Sequence, residues 1–488
     1  MLSRPIRWYD YVTINIYYLG LTTLAQTNGL IVPLLVQGFV GESQQGAFFG
    51  TIRLWTLMVA LLAQSVMGMI SDHSNFRWGR RRPFILIGTL FNVVFLAAIG
   101  FVIGMQGLPG FWFLFIMAIL LQISTNTAHS AQQGLIPDLV PEDKRGRFSG
   151  VKSVMELPLP LLLVSFTVAR VISTGNLTGG IAIAAGILII TMLVTMWVPE
   201  QPLREKLDKL DWKPFFRLVL MTALFTTIIL GVGRVVNLIG QLIGTYDSPY
   251  LLLFIMGITG LFGMLVAVGV GVLICVHISL GKAASQNRSF IMWVINRLAF
   301  LVGVINLSTF TLFFIQARLG YVRETAAAPA AILLMIVGIC VLFSALPAGW
   351  LADRIGHKKM VAFSGGLAAL GTLVAILSPN LSIIYLGGSL IGIATGVFYT
   401  ANWALGTELV PKKEAGRYLG ISNLAGAGAG AIGAYIGGPI ADYFTLHLPE
   451  MVGAGYILLF AIYGMLFLIS IGAILLVKPP GNAKNLNP

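Results

Sequence analysis

The sequence predicts an all-α polytopic membrane protein with about 14 transmembrane helices, two six-helix halves flanking an inserted two-helix hairpin. Three observations predict it. Hydrophobic residues make up 57% of the 488-residue chain and charged residues only 10%, with a mean hydropathy of +0.89, more apolar sequence than a soluble core needs. Long apolar runs, each sufficient to cross a bilayer, follow one another along nearly the whole length. One short, charged, glycine-punctuated loop is written twice, more than half the chain apart.

The first six runs fall at roughly 12–36, 46–71, 83–105, 110–137, 149–173 and 178–198. A second six fall at roughly 290–315, 326–350, 359–378, 383–408, 418–445 and 454–477. Between them lie two more, about 214–243 and 249–277, broken by Gly244 to Pro249. The expected organisation is a first half at 1–198, a linker at 199–213, an inserted hairpin and loop at 214–289, a second half at 290–478 and a polar tail at 479–488. An even number of inserted helices keeps both halves in the same orientation. Only Met1 to about Asp10 precede the first run, too few for a cleaved signal peptide, so that run is expected to stay as an anchor.

The net charge of +13 raises nucleic acid as a partner, but its placement excludes that class. With loops read alternately inside and outside, all but six of the 31 Lys and Arg fall on one side. Arg170, Arg318 and Arg323 are on the other; Arg53, Arg234 and Arg297 lie within spans. This positive-inside bias puts both termini in the cytoplasm and predicts an integral protein of the plasma membrane. The lipid bilayer is then the large-scale partner, with no nucleic acid. Cys275 and Cys340 both sit in apolar runs and read as packing residues.

The first copy of the loop is Gly68-Met69-Ile70-Ser71-Asp72 followed by Gly79-Arg80-Arg81-Arg82-Pro83. The second is Gly349-Trp350-Leu351-Ala352-Asp353-Arg354-Ile355-Gly356-His357-Lys358-Lys359. The repeat continues where the fourth run of each half ends: Asp138-Leu139-Val140-Pro141 leading to Gly146-Arg147, and Glu408-Leu409-Val410-Pro411 leading to Gly416-Arg417. The duplicated loop resembles the interhelical loop of the major facilitator superfamily. That resemblance implies a rocking transporter with a substrate site between two homologous halves.

An acid at the end of a second helix can face the free amides of a neighbouring helix N-terminus, and the arginines beyond it can reach a carboxylate on the fourth helix. The expected latch comprises Gly68, Asp72, Arg80, Arg81, Arg82, Asp138 and Arg147 in the first half. In the second it comprises Gly349, Asp353, Arg354, Lys358, Lys359, Glu408 and Arg417. Such a latch would hold the cytoplasmic side shut and break on inward opening. The alternative is that these charges only set topology.

Ionisable groups inside spans are costly and are default functional candidates. Glu156 is the acid that lies clearly inside a span, and His129 lies at a matching depth on the fourth run. A Glu–His pair there would carry a coupling proton, or merely lock two helices together. Arg53 and Arg297 would bind an anionic substrate group, neutralise a carboxylate such as Glu156, or snorkel from helix ends.

Polar stripes mark the first and fourth runs of each half. They are Asn15, Tyr18, Thr22 and Gln26; Gln122, Asn126, His129 and Gln133; Asn306 and Thr309 beside Phe310 and Phe313; and Thr395, Tyr399 and Asn402 beside Trp403. In the superfamily these helices line the central cavity. Amides, hydroxyls and rings with little fixed charge suit a neutral polyhydroxylated ligand, though interhelical hydrogen bonding places the same residue types in spans.

The longer first loop, from Ser71-Asp72 to Gly79-Arg80-Arg81-Arg82-Pro83-Phe84-Ile85, resembles the signature of the sucrose/proton symporters, relatives of the glycoside–cation symporters. This implies a sugar or glycoside as small-molecule substrate, driven by protons or by sodium, in a chain that works as a monomer. Those symporters couple through an Arg–Asp pair on the fourth helix. Here Asp138 matches the acid and Gln133 stands at the Arg position, so His129 and Glu156, with Asp138, are the coupling candidates. No cofactor or metal is expected, and no nucleophile–base cluster marks an enzyme. Two other readings stay open: an exporter of amphipathic or drug-like solutes, and a non-transporting assembly factor of the same fold.

Overall fold

The computed structural model describes residues 6–201, 212–243, 248–280, 287–410, 415–448 and 450–478, with backbone alone at 280 and 415–425. After a short turn at Trp8–Thr13 come α1 (Ile16–Val40), α2 (Gln45–Asp72), α3 (Arg82–Val102) and α4 (Gly107–Leu139). Helix α5 runs from Arg145 to Ser173 in segments, and α6 is Leu177–Thr195. The inserted hairpin is α7 (Lys213–Ile243) and α8 (Pro249–Leu280). The second half is α9 (Arg288–Thr309, extended by Thr311–Leu319), α10 (Ala327–Ile355), α11 (His357–Leu377), α12 (Leu381–Leu409), α13 (Ala415–His447) and α14 (Ala454–Leu475). Among the described residues, thirteen helices are long and apolar enough to cross a membrane; α13 is the fourteenth long helix. The all-α architecture of about 14 helices expected from the apolar runs is therefore present, and the protein is an integral membrane protein.

Contacts group the helices into two compact units that cut α2, α7 and α10 part-way along. The first unit holds α1, α2 from Met58 onward, α3 to α6, α7 as far as Leu218, and Val322–Met335. The second holds Glu42–Leu57, Val219–Tyr321 and the chain from Ile336 onward.

Lipid supplies no hydrophobic drive between helices, so close packing and buried polar bonds must hold them together. In the first unit a Cβ at Gly88 of α3 would meet Ala128 of α4 at 2.8 Å, so glycine is what lets these helices touch. Asn92 beside it accepts from Ser124 (2.6 Å) and Thr125 (2.8 Å). Helix α5 bends where Pro158 and Pro160 follow Glu156, and a π-turn at Val164–Val168 continues it. In the second unit the rings of Phe300 and Phe398 stack at 3.7 Å. The hairpin packs on α13: the Phe225 ring occupies the space that a Cβ at Gly271 or Gly428 would need. Its other face, with Leu238, Leu242, Phe254 and Phe262 exposed, is suited to lipid.

Candidate functional site

The repeated loop keeps one glycine geometry in both copies, although the first copy is longer. Gly79 and Gly356 adopt φ of 102° and 104°, a conformation that only glycine takes at little cost, and each leads into the next helix. Arg80 and His357 each follow this glycine, but His357 opens α11 while Arg80 stands two residues ahead of α3. The ion pairs built around it differ between the copies.

In the first copy, the Arg80 Nε donates to Asp138 at 3.1 Å and a terminal nitrogen of Arg80 pairs with the same carboxylate. The Arg81 Nε donates to Asp138 at 2.8 Å, its Nη1 donates to Ser71 at 3.1 Å, and its other terminal nitrogen pairs with Asp72. Arg81 is buried and lies flat on α4, where a Cβ at Gly134 would run into the guanidinium. Burial works against this charge, but the hydrogen bonds and charges of Asp138 and Asp72 outweigh it and raise its pKa above the ordinary value.

Several members of the expected latch are placed differently. Asp72 faces Arg81, with half of its side chain exposed (52%), rather than a helix N-terminus. Glu200, from the linker, takes that position. Its carboxylate accepts from the backbone N–H groups of Arg80 (3.0 Å), Arg81 (2.9 Å) and Arg82 (3.1 Å) at the start of α3. Burial pushes the Glu200 carboxyl up from its ordinary value, against those N–H groups, which pull it down. Arg82 contributes its backbone N–H to this cap, not its guanidinium. Arg147 is exposed; Arg145 instead donates to the terminal carbonyls of α4, at Val140 (3.2 Å) and Pro137 (3.0 Å). Gly68 has ordinary space: a Cβ there would lie 3.9 Å from Ser130.

In the second copy the side chain that faces the acids is His357, not Lys358 or Lys359. One ring nitrogen lies 2.8 Å from Glu408 and the other 3.3 Å from Asp353. Lys358 caps α14 through the carbonyls of Leu475 (2.8 Å) and Val477 (2.7 Å), and Lys359 is exposed. Arg354 lies 3.8 Å over the Trp350 ring. Gly349 faces Thr400, where a Cβ would sit at 3.3 Å. The Arg417 side chain lies outside the described residues.

In the first unit the His129–Glu156 pair is not formed. Glu156 pairs with Lys152 at 3.5 Å, because an i,i+4 partner on its own helix is closer than α4. The same ammonium lies 4.7 Å from the Tyr18 ring, and His129 meets Tyr18 edge-on at 6.2 Å. Lys152, which no sequence motif singles out, therefore stands among Tyr18, His129 and Glu156. Gln133 lies 3.2 Å from His129 and accepts from Gln64 of α2 at 3.3 Å. Asn126 donates to Gln122. Thr22 is half-buried, and Gln26 lines a small cavity with Ser165. Asn15 is fully buried and bonded to Tyr11, a packing role. Asp138 belongs to the Arg80–Arg81 cluster rather than to this group.

In the second unit Arg297 does not snorkel. It is buried, donates to Asn402 at 3.0 Å and lies 5.6 Å from the Trp403 ring. Asn402 is fixed from behind by donating to Asn296 (2.8 Å). Tyr399 and Trp403 beside it are partly exposed, at 39% and 42%. Asn306 is fully buried and donates to Val302 and Ala429, and Thr395 to Ile391, both packing bonds. Arg53 lies 3.5 Å from Thr309. Phe310 and Phe313 pack edge-on against Phe49, within the core. Among the described residues, no three His, Cys, Asp or Glu side chains gather to hold a metal.

A model of the major facilitator superfamily matches residues 16–322 and 292–488, spanning both copies of the loop. The chain belongs to this superfamily. Part of it is 35% identical over 88 residues to the minor myo-inositol transporter IolF of Bacillus subtilis, 18% of this chain and 20% of that protein. Another similarity is to the galactose-proton symporter of Escherichia coli, 32% over 100 residues, 20% of this chain and 21% of that one. A multidrug resistance protein, MdtG of Enterobacter lignolyticus, is 28% identical over 137 residues, 28% of this chain and 32% of that one. The matches thus span about a fifth of the length of the first of these curated relatives. Over almost the whole length, the fold is that of the nucleoside transporter NupG: TM-score 0.65, 13% identity, covering 95% of this chain and 99% of that one. It is also that of a D-xylose-proton symporter: TM-score 0.62, 16% identity, covering 97% and 98%.

Proposed function

We propose that this chain is a secondary active transporter that moves a neutral sugar or glycoside by proton-coupled alternating access, in the plasma membrane with both termini cytoplasmic. The observation that carries the reading is the group Arg297, Asn402, Tyr399 and Trp403. It sets hydrogen-bonding amide and guanidinium groups beside two partly exposed aromatic rings, the combination that recognises a sugar by its hydroxyls and its apolar ring face. Tyr18, His129, Lys152 and Glu156 add protonatable groups at the depth where coupling is needed. The Arg80–Arg81–Asp138 and His357–Glu408 clusters act as the latch that rocking must break. Similarity to a galactose-proton symporter and a myo-inositol transporter supports the substrate class.

The test is uptake into proteoliposomes of a panel of labelled sugars under an imposed proton gradient. Gradient-driven accumulation of one of them is expected. Flux of a lipophilic cation without sugar flux would overturn the reading in favour of export of amphipathic solutes. The similarity to MdtG favours that second reading, which would use the same exposed rings of Tyr399 and Trp403.

A further inference from the structure

Asp442 stands near the end of α13, close to the edge of an apolar run, where an acid is unremarked in the sequence. It is 6% exposed, and both its carboxylate oxygens accept from backbone N–H groups, Gly46 at 2.8 Å and Ala47 at 2.7 Å. Those are the first residues of α2, so the carboxylate caps one helix from another. The reach is possible because the two backbones touch. A Cβ at Gly438 would collide with the Gly46 carbonyl, and one at Gly50 with the Ala434 carbonyl.

The positive side of this contact is entirely amide. Among the described residues no Lys, Arg or His pairs with Asp442. The titratable groups around it are Tyr456 on α14, held by Gln45 at 3.1 Å, Glu42 ahead of α2, and Tyr443 and His447 further along α13. None is a permanent cation. By contrast, buried Arg81 and Asp138 compensate each other as full charges. A buried carboxylate without a counter-cation is a place where a proton can supply the missing positive charge.

We propose that Asp442 is a proton-binding site that works a clasp: the charged carboxylate ties α2 to α13, and the protonated carboxyl releases it. Binding of one proton turns an acceptor of two N–H groups into a group with one hydroxyl that donates, so one of the two ties is lost. Opening of this end of α2 is then linked to proton uptake, the linkage that proton-coupled alternating access requires. The consequence of the clasp for transport rests on the proposed function, but its test does not.

The test needs no transported solute. Ala434 is fully buried where α2 crosses α13, so Ala434→Cys, in a Cys275→Ala/Cys340→Ala background, reports opening through its reaction with a maleimide. In the full-length protein, labelling is taken relative to that of the chain unfolded in denaturant at the same pH, which removes the thiol's own loss of reactivity in acid; on that scale it is expected to rise about tenfold from pH 8 to pH 5, the loss of one hydrogen bond to a charged group. Adding Asp442→Asn should make labelling fast and independent of pH. Adding Asp442→Glu should keep a pH response and serves if the Asn variant does not fold. Flat labelling in the parent, or an unchanged pH response in Asp442→Asn, would overturn the proposal even if sugar uptake were proton-driven. A pH response lost in Asp442→Asn, with no proton-driven flux of any sugar, would sustain the clasp and reject the sugar reading alone.

Discussion

In the first half two guanidinium groups share the Asp138 carboxylate, one of them buried, while in the second half a single imidazole lies between Glu408 and Asp353 at the surface. The motif is repeated and the glycine geometry is kept, but the charge is not. Guanidinium is always charged and forks onto a carboxylate; imidazole carries charge only when protonated. Burial widens the gap. Removing one partner of a buried ion pair costs about 3–5 kcal/mol, whereas exposed pairs contribute about 0.2–1 kcal/mol. Duplicated topology has therefore been given two unequal fastenings.

The largest effect should come from Asp138→Ala, which strips Arg80 and Arg81 of their shared carboxylate and leaves Arg81 buried with only half-exposed Asp72. About 3 kcal/mol of stability should be lost, read as a fall in the thermal unfolding midpoint in detergent. Retention of the parental midpoint would remove the asymmetry. Gly134→Ala comes next. The new methyl group occupies the guanidinium's place on α4, and about 1–3 kcal/mol should be lost, with no equivalent cost for Gly68→Ala, where space exists.

Glu200→Ala should cost about 1 kcal/mol, the worth of an N-terminal cap. Glu200 also gives a pH signature. Because burial raises its pKa in the folded protein, the folded state holds the proton more tightly than the unfolded chain does. Stability should therefore fall as pH rises from the ordinary carboxylate value of about 4.3 toward the raised one. Glu200→Gln should abolish that part of the slope in midpoints measured across the acid range, and an unchanged slope would assign it to other groups. Smallest is His357→Ala, with about 0.5 kcal/mol expected for a half-exposed pair. His357→Arg would sharpen the comparison by giving the second copy the cation type of the first.

Much of the fold was legible because hydropathy and helix length are local properties. The apolar runs, the inserted hairpin and the repeated loop all follow from residues near one another in the chain. The two loop glycines were legible as punctuation of the repeat, since glycine alone takes a positive φ at little cost. Partners across long separations were not. Glu200 caps α3 from the linker, and only the folded chain brings it to Arg80. His357 does not stand out as a fastening because the neighbouring lysines carry more certain charge, yet helix geometry turns Lys358 to α14 and the imidazole to Glu408. Asn306 and Asn15 show the converse: stripes on a helix identify a polar face but not whether it meets a cavity or another helix. Arg297, Asn402, Tyr399 and Trp403 are visible in their stripes and their span positions, and the structure brings them together.

The most direct measurement is a pair of double-mutant cycles on the full-length protein, Arg81/Asp138 against His357/Glu408, scored by the unfolding midpoint and converted to coupling energy. Unequal fastenings predict a coupling of about 2 kcal/mol or more for Arg81/Asp138 and less than about 1 kcal/mol for His357/Glu408. Equal couplings, or a stronger one in the second half, would show that the two copies fasten the protein alike and overturn the asymmetry.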